Sequence, residues 1–464
     1  MTRVLYWNIE NFGYNKIRPL TTKRNLAGAL IPDLDAADRL ALILAHITAF
    51  NPDIFVVVET SSGPSNGPGS LISPTGGWQG CVELLLRIRN LTGVAWNLVP
   101  PLVVGQAGRA EGVAVFYKPV IPAGGGVAAG RRLFTGPNAW SPAGNGISFN
   151  PNVAPAPAAG NYPALQANAC FTVANRAIPA TALNPGNLNE SRCAARVDFV
   201  DNAGAPINYG GLREPYMVTF CETVDGPPVV VQRNLTLFAI HSPPQYVAAN
   251  AYLNGLANVR DISAALGALE TRVITGDFNV NLLSQVGNDP LRYAALTALG
   301  YGLQLQPPAV APPPALEAYT GYFATHLRSL NSTIFWSTNA GAVPYPGYRY
   351  IGSSNSSSLY SIDNILVRGG AAANFTVANT VVGTPMNAVN PAPGGAPMGQ
   401  VAIACDFQMP PANWTPAPPA PPLPLVPPDP APAFAFGDRQ RFRDWRNMGH
   451  IRSTSDHLAL FVTV

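Results

Sequence analysis

Hydrophobic and polar positions follow two rhythms along this chain. RVLYWNIE (residues 3–10) is almost unbroken in apolar character and reads as a mostly buried strand. In ADRLALILAHITAF, Leu40, Ile43, Leu44 and Ile47 recur at helical spacing and share one face. NPDIFVVVE is a turn followed by a continuous apolar run that stops at Glu59. CVELLLRIRNL predicts a second amphipathic helix, and EGVAVFYKP a strand halted by Pro119. NLTLFAIH reads as a strand ending in His241, and ANAYLNGLANVRDISAALGAL as a helix. RVITGDFNV is the next strand. DPLRYAALTALG predicts a helix opened by Pro290 and closed by Gly300. SLYSIDNILVRG and TSDHLALFVTV read as the last two strands, and there is no repeat of fixed period.

Two long stretches break the rhythm. Residues 120–230 are rich in Ala, Pro, Gly and Asn and read as an irregular insertion, with short strands such as REPYMVTFCETV. Residues 385–436 are rich in Pro, Ala and Gly, and PAPPAPPLPLVPPDPAPA predicts extended, solvent-facing polyproline structure.

Composition changes this picture in few places. A length of 464 residues suggests about three domains. The net charge of +3 says little about partners. The cations are nearly all arginine, with Lys16, Lys23 and Lys118 the only lysines, and arginine suits bidentate phosphate contacts. The five cysteines (Cys81, Cys170, Cys193, Cys221 and Cys405) form no CxxC, which argues against a zinc site. Their odd number forbids full pairing. One disulfide among Cys170, Cys193 and Cys221 is compatible with their loop-rich setting. MTRVLYWNIENFG enters a strand at once, without the regions of a signal peptide. No apolar run reaches 18 residues, so no membrane span is expected. The default expectation is a cytoplasmic location, with secretion by another route left open.

The candidate chemistry lies at the strand ends. Asn8 and Glu10 are in the first strand, Glu59 ends the second, and Glu111 begins the third. His241 ends the fourth, and Asp277 and Asn279 end the fifth. Asp363 opens IDNILV, while Asp456 and His457 open HLALFV. A buried aspartate at a strand end is costly without a partner. Alone, GDFN fits a turn as well as a site. A sheet protein has no structural need for so many such ends. Convergence at one sheet edge accounts for them, and would assemble a hard-oxygen site suited to Mg2+ or Mn2+ beside two proton-transferring histidines.

WNIENFG, DIFVVVE, EGVAVFY, FAIHSPP, GDFNVN, SIDNILV and SDHLALF together resemble the endonuclease/exonuclease/phosphatase superfamily, in that family's order and across both ends of the chain. The resemblance implies an α/β (α+β) four-layer sandwich: two packed, mostly antiparallel sheets flanked by helices, with long irregular insertions. It overrides the length prior, since motifs from Asn8 to His457 must meet in one catalytic domain spanning 1–464. Glu59, with Asn8 beside it, resembles the principal metal ligand and its partner. Asp277 and Asn279 resemble the pair that orients the attacking water and holds the phosphate. His457 resembles the terminal catalytic histidine, oriented by Asp363, and Asp456 the metal-side aspartate before it. His241, paired with Glu111, resembles the second histidine of the deoxyribonuclease I branch. The strands EGVAVFY and LTLFAIH are then expected side by side. Glu10 stands where relatives carry an aspartate, which makes it a candidate second ligand.

The implied activity is metal-dependent phosphodiester hydrolysis, with nucleic acid, DNA above all, as substrate. A phosphatase or phosphodiesterase acting on a phospholipid or soluble ester is the alternative, and a non-catalytic binding module a third reading. Mg2+ or Mn2+ is the implied cofactor, and a structural Ca2+ is compatible with the same resemblance. Plainer readings stand beside these. His46, in an apolar helix, reads as structural. His326 and His450 lack a motif and carry no assigned role. Arg439, Arg441, Arg443 and Arg446, interleaved with Phe442 and Trp445, fit a solvated face or a phosphate-backbone contact. SSNSSSLYS, before Asp363, reads as loop or as phosphate-donating hydroxyls.

Overall fold

The computed structural model describes residues 1–18, 23–24, 30–31, 35–64, 67–73, 77–106, 108–121, 132–134, 137, 139–141, 146–148, 195–224, 230–267, 269–280, 283–284, 287–288, 290–305, 325–327, 359–360, 362–378, 380–381, 384–385 and 454–464. Arg439, Arg441, Arg443, Arg446, His450, Cys170, Cys193, Cys405 and the polyproline stretch lie outside the described residues.

The first sheet contains β1 (Arg3–Phe12), β2 (Ile54–Thr60), β3 (Asn97–Val104) and β4 (Glu111–Tyr117). The second contains β5 (Val120–Ile121), β6 (Arg132–Phe134), β7 (Tyr216–Val224), β8 (Val230–His241), β9 (Glu270–Asp277), β10 (Gly302–Leu303) and β11 (Asp363–Arg368). The chain then returns to the first sheet with β12 (Ala373–Ala378) and β13 (Ala459–Thr463). The strand orders are β12-β13-β1-β2-β4-β3 and β10-β11-β9-β8-β7-β6-β5. Each sheet has one parallel pair among these strands, β1 with β2 and β8 with β9, and its other pairs are antiparallel.

The pleat explains how the sheets face each other. Alternate residues of a strand point to opposite sides. In β1, Trp7 turns to the helical layer, where its ring lies 4.7 Å from that of His46. Tyr6 turns the other way and donates to Asp363 Oδ1 of the second sheet at 3.0 Å. The larger core cluster fills the space between the sheets and extends under α1 (Asp35–Phe50) and α2 (Trp78–Thr92). A second cluster lies under α3 (Tyr246–Leu256), joining Phe238, Ile240 and Ile274 to Leu253 and Leu296.

Several sequence expectations need adjustment. ANAYLNGLANVRDISAALGAL is not one helix: α3 ends at Leu256, Val259 takes extended backbone and bridges Asp201, and only Arg260–Ser263 turns again. DPLRYAALTALG is a 3-10 turn over Pro290–Tyr293 followed by a single helical turn, Ala294–Thr297. The strands β3 and β12 were not predicted. β3 carries Pro100 and Pro101, and it lies at the sheet edge with a bulge between Val99 and Leu102, where missing N–H donors cost least. His46 does have the structural role expected of it: it is buried, with Nδ1 2.8 Å from the Leu42 carbonyl.

Candidate active site

The registers bring the polar strand ends to one edge. β1 and β2 run in parallel and Asn8 lies opposite Val58, next to Glu59. Thr60 pairs with Gly112 at the start of β4, which places Glu111 at the same end. In the other sheet, His241 lies opposite Asp277, and Asp277 opposite Asp363. β13 enters antiparallel to β1, with Leu460 against Tyr6, so His457 approaches Asn8. Gly276 permits the tight parallel approach of β8 and β9. A side chain there would collide with the carbonyl oxygen of Ile240. This accounts for the glycine in GDFN.

Both proposed His–carboxylate pairs form. His241 Nδ1 lies 2.8 Å from Glu111 Oε1, and His457 Nδ1 lies 2.8 Å from Asp363 Oδ2. The expectation that EGVAVFY and LTLFAIH are neighbouring strands is corrected: β4 and β8 belong to different sheets, and Glu111 reaches His241 across the sandwich. The Nε2 atoms of both rings face one oxygen, Asp277 Oδ2, at 3.5 Å for His241 and 3.7 Å for His457. Asn8 Nδ2 donates to Glu59 Oε1 at 3.1 Å and to Asp277 Oδ2 at 3.4 Å, and lies 3.3 Å from His457 Nε2. Asp456 Oδ1 is 3.7 Å from His457 Nε2. Asn279 lies two residues beyond Asp277, its N–H donating to Asp277 Oδ1 at 2.9 Å and its side-chain amide to the Ser242 carbonyl at 3.1 Å. Glu10 is held by its backbone, whose carbonyl accepts from Lys16 Nζ.

In fold, the chain is similar to endonuclease/exonuclease/phosphatase proteins. One such protein from Leptotrichia buccalis is 9% identical, with a TM-score of 0.39, over 100% of this chain and 99% of that one. A mannosyl-6-phosphatase from Bacteroides thetaiotaomicron is 11% identical, with a TM-score of 0.32, over 82% and 90%. The catalytic domain of human nocturnin is 10% identical, with a TM-score of 0.30, over 80% and 84%. No family profile and no curated protein matches the sequence. No helix among the described residues is long and apolar enough to cross a membrane.

Burial and charge set the protonation at this edge. Burial pulls the His241 pKa down, but Glu111, Asp277 and Glu59 outweigh it and raise it to about 9. His457 is raised well above the usual histidine value, with Asp363 and Asp277 overcoming the same burial. Burial raises the Asp277 pKa, and Asp363 adds to it against the pull of the imidazoles. For Glu59, burial raises the pKa, yet His241, His457 and the Asn8 amide hold it below its ordinary value. Glu59 stays a carboxylate beside the two imidazoles.

Among the described residues, two groups of side chains at this edge could hold a metal ion: Glu59, Asp277 and His457, and His326, Asp456 and His457. Three polar residues here also take left-handed backbone: Asn11 (φ 51°), Glu59 (φ 59°) and Asn279 (φ 51°). That is common for Asn but costs a glutamate about 1–2 kcal/mol.

The structure adds residues that the sequence reading left without a role. Tyr6 and Thr325 both donate to Asp363, at 3.0 and 2.8 Å. Ser455 Oγ donates to the Asn8 carbonyl at 2.5 Å and accepts the His457 N–H at 2.9 Å. Arg213 Nε lies 2.6 Å from Glu111 Oε2. His326 lies against His457 with ring centroids 4.4 Å apart. Period-two alternation from Asn8 puts Tyr6 on the same face and was a usable signal. Arg213 and His326 sit in stretches with no periodicity.

Proposed function

We propose that this chain is a metal-dependent phosphodiesterase that hydrolyses DNA phosphodiester bonds. The supporting observation is that two imidazoles, each held at Nδ1 by its own carboxylate, aim Nε2 at the single oxygen Asp277 Oδ2. Carboxylates bonded to Nδ1 fix the tautomer and strengthen Nε2 as a base, which suits proton transfer at a scissile phosphate.

Glu59 and Asn8 would hold a Mg2+ or Mn2+ ion, with Asp456 on the metal side and Glu10 as a further ligand. The donor set fits. Asn8 Oδ1 is buried without a hydrogen-bond partner among the described residues, beside an anionic Glu59. Hard oxygens of this kind suit Mg2+. When bound, such an ion neutralises phosphate charge and lowers the pKa of a water. Asp277 and Asn279 orient the attacking water and hold the phosphate. One imidazole accepts the water's proton and the other gives a proton to the leaving oxygen. Glu111 and Asp363 keep both rings aligned. Arg439, Arg441 and Arg443 would contact the DNA backbone.

The weak net charge of +3 favours a second reading, hydrolysis of a small phosphate ester, because backbone binding needs a basic face. One assay separates the two. Plasmid, single-stranded DNA, RNA and a generic phosphomonoester are incubated with Mg2+ or Mn2+. Cleavage of DNA with no phosphomonoester turnover supports the nuclease, and the reverse supports the phosphatase.

A further inference from the structure

We propose that His326, Asp456 and His457 form a site for a borderline transition metal of the Zn2+ class, whose occupancy switches the edge off. Each of the three offers one ligand atom, and these atoms lie within 4.8 Å of one another. His326 Nε2 is 3.3 Å from Asp456 Oδ2, and His457 Nε2 is 3.7 Å from Asp456 Oδ1. Tetrahedral ligands at a Zn–N distance of about 2.0–2.1 Å are about 3.3 Å apart, so these spacings need only side-chain adjustment. The backbone supports the arrangement: His326 and His457 form an antiparallel bridge, and the Leu458 N–H donates to the Thr325 carbonyl at 2.7 Å. Asp363 on His457 Nδ1 leaves Nε2 as the coordinating atom, the usual carboxylate–histidine–metal arrangement.

The site shares Asp456 with the proposed Mg2+ site, and ligand type sets which ion each prefers. Two imidazoles and one carboxylate suit Zn2+, Cu2+ or Ni2+, whereas the oxygen-rich end at Glu59 and Asn8 suits Mg2+. The Asp456 side chain is 20% exposed, which gives an ion a way in. Coordination would take the His457 Nε2 lone pair and release its 3.3 Å contact with Asn8 Nδ2. The ring could then neither accept nor donate a proton. Loss of activity therefore rests on the phosphodiesterase reading, while metal binding does not.

The test titrates Zn2+ into the full chain, in excess Mg2+, against a chromophoric chelator. Wild type, His326→Gln and His46→Gln are compared, with Co2+ as a spectroscopic probe. One equivalent should bind to wild type and to His46→Gln. Affinity should fall about 10–100-fold or more in His326→Gln, the scale for disturbing a metal's supporting groups. The Co2+ spectrum should lack thiolate charge transfer. In parallel, Mg2+-supported DNA cleavage by wild type should be lost on Zn2+ addition, and cleavage by His326→Gln should resist it. If His326→Gln is not folded by circular dichroism, Asp456→Asn replaces it in the binding arm. Equal Zn2+ affinity in wild type and variant, failure of wild type to compete with the chelator, or a thiolate band would overturn the proposal. Absence of any cleavage in Mg2+ alone would count against the phosphodiesterase, and the binding result would still decide the metal site.

Discussion

Glu111 Oε1 and His241 Nδ1 lie 2.8 Å apart although 130 residues separate them and their strands belong to different sheets. Nothing local in the sequence brings them together. The sandwich itself does, by ending β8 and beginning β4 at the same edge. If the pair works on a phosphate, His241→Ala should lower turnover about 10²–10⁴-fold, the usual effect of one positioned acid–base group. Glu111→Gln should cost less, because the ring remains while the charge favouring imidazolium is gone. Turnover per folded molecule, with folding checked by circular dichroism, is the readout. Near-wild-type turnover for His241→Ala would leave the histidine a structural role.

Stability should carry the mark of the same pair. The folded pKa of His241, raised to about 9, exceeds the value of about 6.5 expected in the unfolded chain. Protonation therefore favours the folded state. In chelator, this stabilisation should be complete below about pH 6.5 and fade as pH rises through about 9. Urea midpoints across that window should fall for wild type and fall less steeply for His241→Ala, since His457 is raised in the same direction and keeps its own slope. A wild-type midpoint that rises with pH there would contradict the assignment.

Gly276→Ala should disrupt fold and site together. The new methyl group meets the Ile240 carbonyl between the paired strands that carry His241 and Asp277. Overpacking of this kind costs about 1–3 kcal/mol, and more where backbone must give way. A lower urea midpoint with an unchanged slope would register it. A midpoint equal to wild type would mean that β8 and β9 are not so closely apposed.

The backbone at Glu59 makes a further claim testable. At φ 59° a glycine is relaxed and an alanine is not. In metal-free protein, Glu59→Gly should be more stable than Glu59→Ala by about 1 kcal/mol, and both should bind Mg2+ more weakly than wild type. Equal stability of the two variants would argue against the left-handed turn.

Much of this was legible in the sequence because strand ends are local signals. An apolar run stopping at Glu59, His241 or Asp277 shows the residue and its exposure to an edge. Both His–carboxylate pairings came from the family resemblance, and the structure brings those residues together. The route by which Glu111 reaches His241 was misread, since sequence order does not say which strands share a sheet. β3 was missed because Pro100 and Pro101 argue against a strand unless it lies at an edge. His326 was passed over because its position depends on long-range pairing with Tyr360 and His457, contacts without any period in the chain. The arginines at 439, 441 and 443 remain expectations from sequence alone.

The most direct test of the central claim is cleavage of plasmid DNA by wild type and Glu59→Gln, each with Mg2+ and with excess chelator. Wild type should cleave only with Mg2+, and Glu59→Gln should need far more of it, since the charged oxygen beside Asn8 is lost. Equal cleavage by wild type in Mg2+ and in excess chelator would contradict the account.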